Sequence, residues 1–234
     1  MSAPPAIEVL RPGLCDLVMD GGRAGFVHLG VPVGGAADAL ALRWANRLVG
    51  NPDSAAGLEI LLKGPLLAFP QGGAVALTGA PFAALRSSGD AAAWYETLRM
   101  APDEQLDIGA ASAGCRCWLA VQGGIHVPEV MRSRSTFLPA GFGGLGGRAL
   151  RAGDQLARGE ISAPPRALRI NPPSTDETAA LRVVPGPQAA LFTDAGLAAF
   201  FNSFYRVGGA SDRRGIRLHG APVAVTTQDG IATQ

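Results

Sequence analysis

The chain should fold as a mainly β protein, a barrel or sandwich of short antiparallel strands with few helices. Three features of its 234 residues point there. Most apolar runs are short and cut off by Gly, Pro or Asp, so turn signals recur at close intervals. Only two stretches carry a helical period, and no repeat of fixed length suggests a solenoid or propeller. With 47% apolar residues the chain can bury a sizeable core.

In chain order, the expected strands are Ile7 to Leu10, Asp16 to Met19, Leu58 to Leu62, Leu66 to Phe69, Val75 to Thr78, Gln105 to Ile108, Cys115 to Val121, Leu181 to Val184 and Gly215 to Leu218. The first helix is expected over Ala37 to Val49, where Leu40, Ala41, Trp44, Ala45 and Leu48 share a face and Gly50 and Pro52 supply the stop. A second should run from Asp194 to Ser203 with Thr193 as N-cap. Between them, Ser162 to Thr178 is rich in Pro and Ser and too poor in apolar surface to pack. It reads as a linker over 162–178, between a first β domain at 1–161 and a second at 179–234.

Composition narrows the function classes. Twenty cationic side chains against nineteen anionic ones leave a net charge of +1, without a basic run, so nothing marks a nucleic-acid partner. Lys63 is the sole lysine; base composition of the genome accounts for that, although Arg also suits bidentate grip on carboxylate or phosphate. Neither a leader-like segment nor a membrane-length apolar run is present, which predicts a cytoplasmic protein with no membrane partner. Cys115 and Cys117 alternate on a strand-like run and are expected in the core; with Cys15 they lack the spacing of a metal or redox site.

Two nucleotide motifs can be set aside. Gly141 to Gly146 satisfies GxGxxG, but no clear strand precedes it and no helix follows. Lys63 is followed by Gly64 and Pro65 rather than a hydroxyl residue, so ATP, if used, is not held by a P-loop. His28, His126 and His219 occupy unrelated settings and read as solvated or structural.

The richest stretch is Val18 to Glu59, where Asp20, Arg23, Asp38 and Asn46 are gathered by glycine turns ahead of the first helix. Each has a plainer account: a turn with an Asx bond and a surface arginine for Asp20 and Arg23, the first helical turn for Asp38. Asn46 is unusual in mid-helix. Glu59 interrupts an apolar strand; it either faces solvent from an edge strand or is buried against Arg23 or another arginine.

The segments VMDGGRAGFVHLGVPVGGAADALALRWANRLVGN, LEILLKGP, VALTGA, CWLAVQGGIHVP, SRST, GFGGLGGRAL and SDRRGIRL, in this order, resemble the family of the C subunit of bacterial ATP-dependent 5-oxoprolinase. That family is also labelled allophanate hydrolase subunit 2 or biotin-dependent carboxyltransferase, being similar to part of the carboxyltransferase region of urea carboxylase. The resemblance implies cyclophilin-like β-barrel domains and a complex with the B and A subunits of 5-oxoprolinase. Such a complex cleaves 5-oxoproline to glutamate at the expense of ATP, at a site shared with or carried by a partner. The resemblance also implies catalytic roles for Asp20, Arg23, Asp38 and Glu59, and substrate binding by Asn46, Arg134, Ser135, Asp212 and Arg213. Arg23 and Arg134 would hold phosphate or substrate carboxylate; Asp20 or Asp38 would orient water. No metal site is expected.

Departures from the family pattern are Met19 in a VQD-like triplet, Ala37 in a GGAMD-like run and Arg132 in place of a usual Gly before SRST. Relatives also continue past the equivalent of Gln234, so the second domain is expected to be incomplete. Two alternatives stay open: a non-catalytic regulatory or binding subunit, and biotin-dependent carboxyl transfer to urea or another amide. The latter needs biotin from a partner, since Lys63 has no acceptor signature.

Overall fold

A computed structural model describes residues 5–161, 164, 166–172, 180–213 and 215–226. By internal contacts the chain divides into two units, Met1–Pro173 and Ser174–Gln234. The first contains β1 (Ile7–Arg11), β2 (Asp16–Met19), α1 (Ala39–Leu48), β3 (Gly57–Leu61), β4 (Leu66–Phe69), β5 (Gly73–Gly79), β6 (Phe82–Arg86), β7 (Leu98–Met100), β8 (Glu104–Ala111), β9 (Arg116–Val121), β10 (Ile125–His126) and β11 (Gln155–Arg158). These strands form a six-stranded sheet ordered β10-β11-β1-β4-β8-β6 and a five-stranded sheet ordered β2-β3-β9-β5-β7, with antiparallel pairing throughout. The mainly β class is as expected, with the sheet strongly curled into a half-barrel.

Alternation along the strands builds one core between the sheets. Val9, Leu67, Leu106 and Ile108 from the larger sheet meet Leu58, Ile60, Leu77 and Leu119 from the smaller one, and each of these is fully buried. The outer face of the smaller sheet is buried as well. Ala74, Ala76 and Ala120 present only methyl groups there, so α1 packs close with Ala45 and Leu48, followed by Val49. Both faces of β3, β5 and β9 are therefore largely apolar, which is why these strands read as continuous hydrophobic runs.

That double coverage decides the position of Glu59. β3 lies between β2 and β9 rather than at an edge, and Glu59, opposite Leu17 and Trp118, points to the helix-covered face with 2% exposure. The solvent-facing alternative is thereby corrected. Arg116, not Arg23, is its charged partner, with Nε 3.3 Å from Glu59 Oε1.

The second unit contains α2 (Asp194–Asn202), β12 (Tyr205–Val207) and β13 (Leu218–Gly220). Thr193 caps α2 as expected, accepting from Gly196 N at 3.0 Å. Leu181 to Val184 is not a strand: it makes no ladder, and Leu181 and Val184 are strongly exposed. The strand expected at Gly215 to Leu218 instead begins at Leu218 to pair with β12. Cys117 joins the core, but Cys115 precedes the start of β9 and is exposed. Of the expected linker, Leu168 and Ile170 hydrogen-bond to the backbone of Thr97 and Tyr95 within the first unit. Residues 162, 163, 165 and 173–178 of that stretch lie outside the described residues, as do 227–234.

Candidate functional site

Asp20 follows the last residue of β2 and is the hub of a polar cluster. Its Oδ1 accepts from Gly22 N at 2.8 Å and from the hydroxyls of Ser133 and Ser135 at 2.6 Å each. Its Oδ2 accepts from Arg134 N at 2.6 Å. The Asx bond expected of a turn is present, but the carboxylate also clamps a loop more than a hundred residues away in sequence. With four donors spent on it, this carboxylate is fully solvated by protein. Its backbone also takes part: Asp20 N donates to Ser135 Oγ at 2.9 Å, and its carbonyl accepts from Ala36 N at 2.9 Å.

Arg23 is not a surface arginine; it is 1% exposed and the largest of the fully buried side chains. Nη2 donates to the Ser135 carbonyl, and the guanidinium lies over the Phe142 ring with Cζ 4.9 Å from its centroid. Burial pushes the Arg23 guanidinium below its usual range, and the nearby Asp20 charge opposes this. The glycine turns make room for it. A Cβ at Gly34 would lie 3.5 Å from Nη1 and one at Gly143 only 3.0 Å from Nη2.

Asp38 and Glu59 hold the approach to α1. Asp38 Oδ1 accepts from Ala41 N at 2.9 Å as the helix N-cap, and Glu59 Oε2 accepts from Ala37 N at 2.8 Å. Asn46, fully buried, donates to the Ala55 carbonyl at 2.8 Å and accepts from Asn51 Nδ2 at 3.0 Å. Asn51 in turn donates to the Val121 carbonyl and accepts from Gly123 N, both at 2.8 Å. Asn51, held by Asn46, lines a cleft of about 300 Å³ together with Gln122, Gly124, His126, Arg134 and Glu160, among others. Arg134 joins the cluster to the cleft: its backbone is clamped by Asp20 while its guanidinium donates to the Val127 carbonyl at 3.1 Å and pairs with Glu129 at 2.8 Å.

Thus Asp20, Arg23, Arg134 and Ser135 come together, and Asn46 supports the cleft beside them. Asp38 and Glu59 fix the adjoining loop. Asp212 and Arg213 are exposed residues of the second unit, where Asp212 Oδ1 accepts from Gly215 N at 3.2 Å. Sequence reasoning misses Ser133, Asn51, Gln122, Glu129 and His126 as members of this region. Ser133 carries a usable signal, since it stands two residues before Ser135 in the SRST motif; the others are assembled only by tertiary contact.

Arg132 stands out by its backbone. Met131 and Arg132 have φ of 53° and 60°, and Val130 and Ser133 exchange backbone bonds at 2.9 and 3.3 Å across them. That is the geometry of a two-residue turn favouring Gly or Asn, yet neither is present. The Arg132 guanidinium reaches over the Phe26 ring, 5.1 Å from its centroid.

Known proteins share this sequence and fold. The profile of the carboxyltransferase domain, subdomain A and B, matches residues 29–233. The chain is 38% identical to the C subunit of 5-oxoprolinase from Escherichia coli strain K12, over 94% of this chain and 71% of that protein. It is 34% identical to urea amidolyase of Lachancea kluyveri over 97% of this chain but only 13% of that much longer protein. Among solved structures, TTHA0988 superposes with a TM-score of 0.84 at 34% identity, covering 94% of this chain and 80% of that one. Kluyveromyces lactis urea carboxylase gives a TM-score of 0.82 at 31% identity, over 97% of this chain and 22% of that one. With a match over most of its length in both sequence and fold, the chain belongs to the carboxyltransferase domain family, subdomains A and B.

Proposed function

We propose that the chain acts as the C subunit of a cytoplasmic ATP-dependent 5-oxoprolinase, opening 5-oxoproline to glutamate in complex with the A and B subunits. The observation that carries this reading is the cleft lined in part by Arg134, whose backbone is fixed by Asp20; the arginine gives that space a charge suited to a small acidic amide. At about 300 Å³ the cleft lies at the small end of ligand pockets. It fits a five-membered lactam acid better than a nucleotide, so ATP is assigned to a partner subunit. When bound there, ATP supplies phosphoryl activation of the lactam oxygen, without which an amide is a poor electrophile.

The residues of this chain then bind and orient. Arg134 takes the substrate carboxylate, displacing Glu129, which is half exposed. Asp20, Ser133 and Ser135 act as positioning residues that hold Arg134, and Asn46 holds Asn51, which lines the cleft. Biotin-dependent carboxyl transfer is the second reading, supported by the urea amidolyase relative; biotin would come from a partner. Co-expression with the A and B subunits, followed by assay of glutamate release from 5-oxoproline and ATP, tests the proposal. Arg134→Ala should raise KM at least about tenfold with folding unchanged, the loss of one charge-assisted contact. Complex formation without any turnover would favour a binding subunit, and turnover that depends on a biotinylated partner would favour transfer.

A further inference from the structure

Most exposed apolar side chains of a folded chain stand singly and need no account. The 24–34 loop is different. No residue in it is buried, yet Phe26, Val27, Leu29, Val31, Pro32 and Val33 are all apolar. Val27, Leu29 and Val33 are 66%, 59% and 42% exposed, and the turn at Val27–Leu29 buries nothing. A contiguous apolar run that contributes so little to its own core fits a surface that something else covers.

The loop is held in place without collapsing onto the core. Arg23 N donates to the Val33 carbonyl at 2.7 Å, and Leu29 N and Gly30 N donate to the Phe26 and Val27 carbonyls at 2.9 Å each. From the other side, the Arg132 guanidinium lies over Phe26 with Cζ 5.1 Å from the ring centroid. A preformed surface loses less entropy on binding than one that must first order. Arg132 also defines the chemistry of the partner. Arg134, two residues on, pairs with Glu129, whereas Arg132 is exposed and makes no ion pair among the described residues. The loop itself carries no acidic residue, and its one titratable side chain is His28. A two-fold contact between copies would set Arg132 and His28 of each against a patch without a carboxylate. A different chain that presents apolar side chains and a carboxylate answers both features.

We propose that the 24–34 loop, with Arg132 at its edge, is the docking surface for another subunit of the complex, one that offers an apolar hollow to Val27 and Leu29 and a carboxylate to Arg132. This rests on the 5-oxoprolinase reading and locates the contact which that reading requires. The docked subunit is seated against the 132–135 segment, where Ser133, Arg134 and Ser135 are bound to Asp20, so it borders the cleft that Arg134 helps to line. The left-handed turn at Met131 and Arg132 has the same rationale: it sets a charged side chain where glycine would leave none.

The test is co-expression of the tagged full chain with the A and B subunits, followed by titration with each purified subunit to measure its affinity. The double variant Val27→Ser/Leu29→Ser should weaken association about tenfold or more while Tm stays within a few degrees, since both positions are exposed. Arg132→Glu should weaken it as well, and Arg132→Gln should flatten its dependence on ionic strength because the attraction to the partner carboxylate is gone. Leu14→Ser removes a side chain that is 64% exposed outside the loop and should leave binding unchanged. Affinity unaltered in the double variant or in Arg132→Glu overturns the proposal, as does equal weakening by Leu14→Ser. A dimer of the chain that Val27→Ser/Leu29→Ser dissolves overturns it too, since the occupant is then a second copy. If the unsubstituted chain binds neither subunit, the 5-oxoprolinase reading falls and the docking assignment with it; a complex that forms through the loop but releases no glutamate counts against that reading alone.

Discussion

Among single residues, Asp16 makes the sharpest prediction. It is 1% exposed; Oδ2 accepts from Gly13 N at 2.6 Å, while Oδ1 is buried without a hydrogen-bond partner among the described residues. Burial pushes its pKa up from 3.8 to about 6, with the Gly13 bond pulling the other way. A carboxyl group that binds its proton more tightly when folded favours the native state fully below its unfolded pKa. That contribution is lost as pH rises through about 6, on the order of 3 kcal/mol in all. Asp16→Asn should therefore raise Tm at pH 8 by up to about 6–12 °C and give almost no gain at pH 4, as melts at the two pH values will show. Glu129 offers a functional counterpart. As the counter-ion of Arg134, its replacement by Gln should lower KM for an acidic substrate a few-fold, by about 0.5–1 kcal/mol, in steady-state assays of the assembled complex.

Among the elements, α1 and the 130–133 turn separate structural from chemical roles. Asp38 caps α1 through Ala41 N, so Asp38→Ala should cost about 1 kcal/mol in denaturant unfolding while Asp38→Asn, which keeps an acceptor oxygen, costs less. If Asp38 also orients water, Asp38→Asn loses turnover at unchanged stability; equal turnover confines it to the cap. The turn predicts the opposite sign. Arg132→Gly relieves a left-handed φ and should stabilise the chain by about 1 kcal/mol, even as it frees Phe26. A lower Tm would show that the stack outweighs the strain. Legibility in the sequence follows the same division. α1 is readable from its apolar spacing and glycine stop, and β2 and β4 from their bounding turns. β10 has only two residues and β7 three, too few for a period, and both exist because neighbouring strands offer a ladder.

For the molecule as a whole, the location of the core is decisive. The hydrophobic clusters described lie entirely within the first unit, from Ala6 to Ile170, whereas the described part of the second unit exposes Phe201, Phe204, Leu181 and Val184. A fragment comprising residues 1–173 should thus unfold cooperatively with a Tm within a few degrees of the whole chain, while 174–234 alone shows no cooperative transition in calorimetry. The β class, both helices, the Thr193 cap of α2 and the family are all legible in the linear chain, because turn residues, apolar periods and ordered motifs are local properties; the Asp38 cap of α1 is not, since the sequence places that residue in the first helical turn. Asp20, Arg23, Arg134 and Ser135 are marked there as belonging to a site as well. Their parts within it emerge only on folding. That Asp20 is a clamp, that Arg23 is buried and that Glu59 faces a helix rather than water all depend on contacts between segments up to 115 residues apart. Such partners are chosen by sheet order and loop closure, which no single stretch of chain encodes.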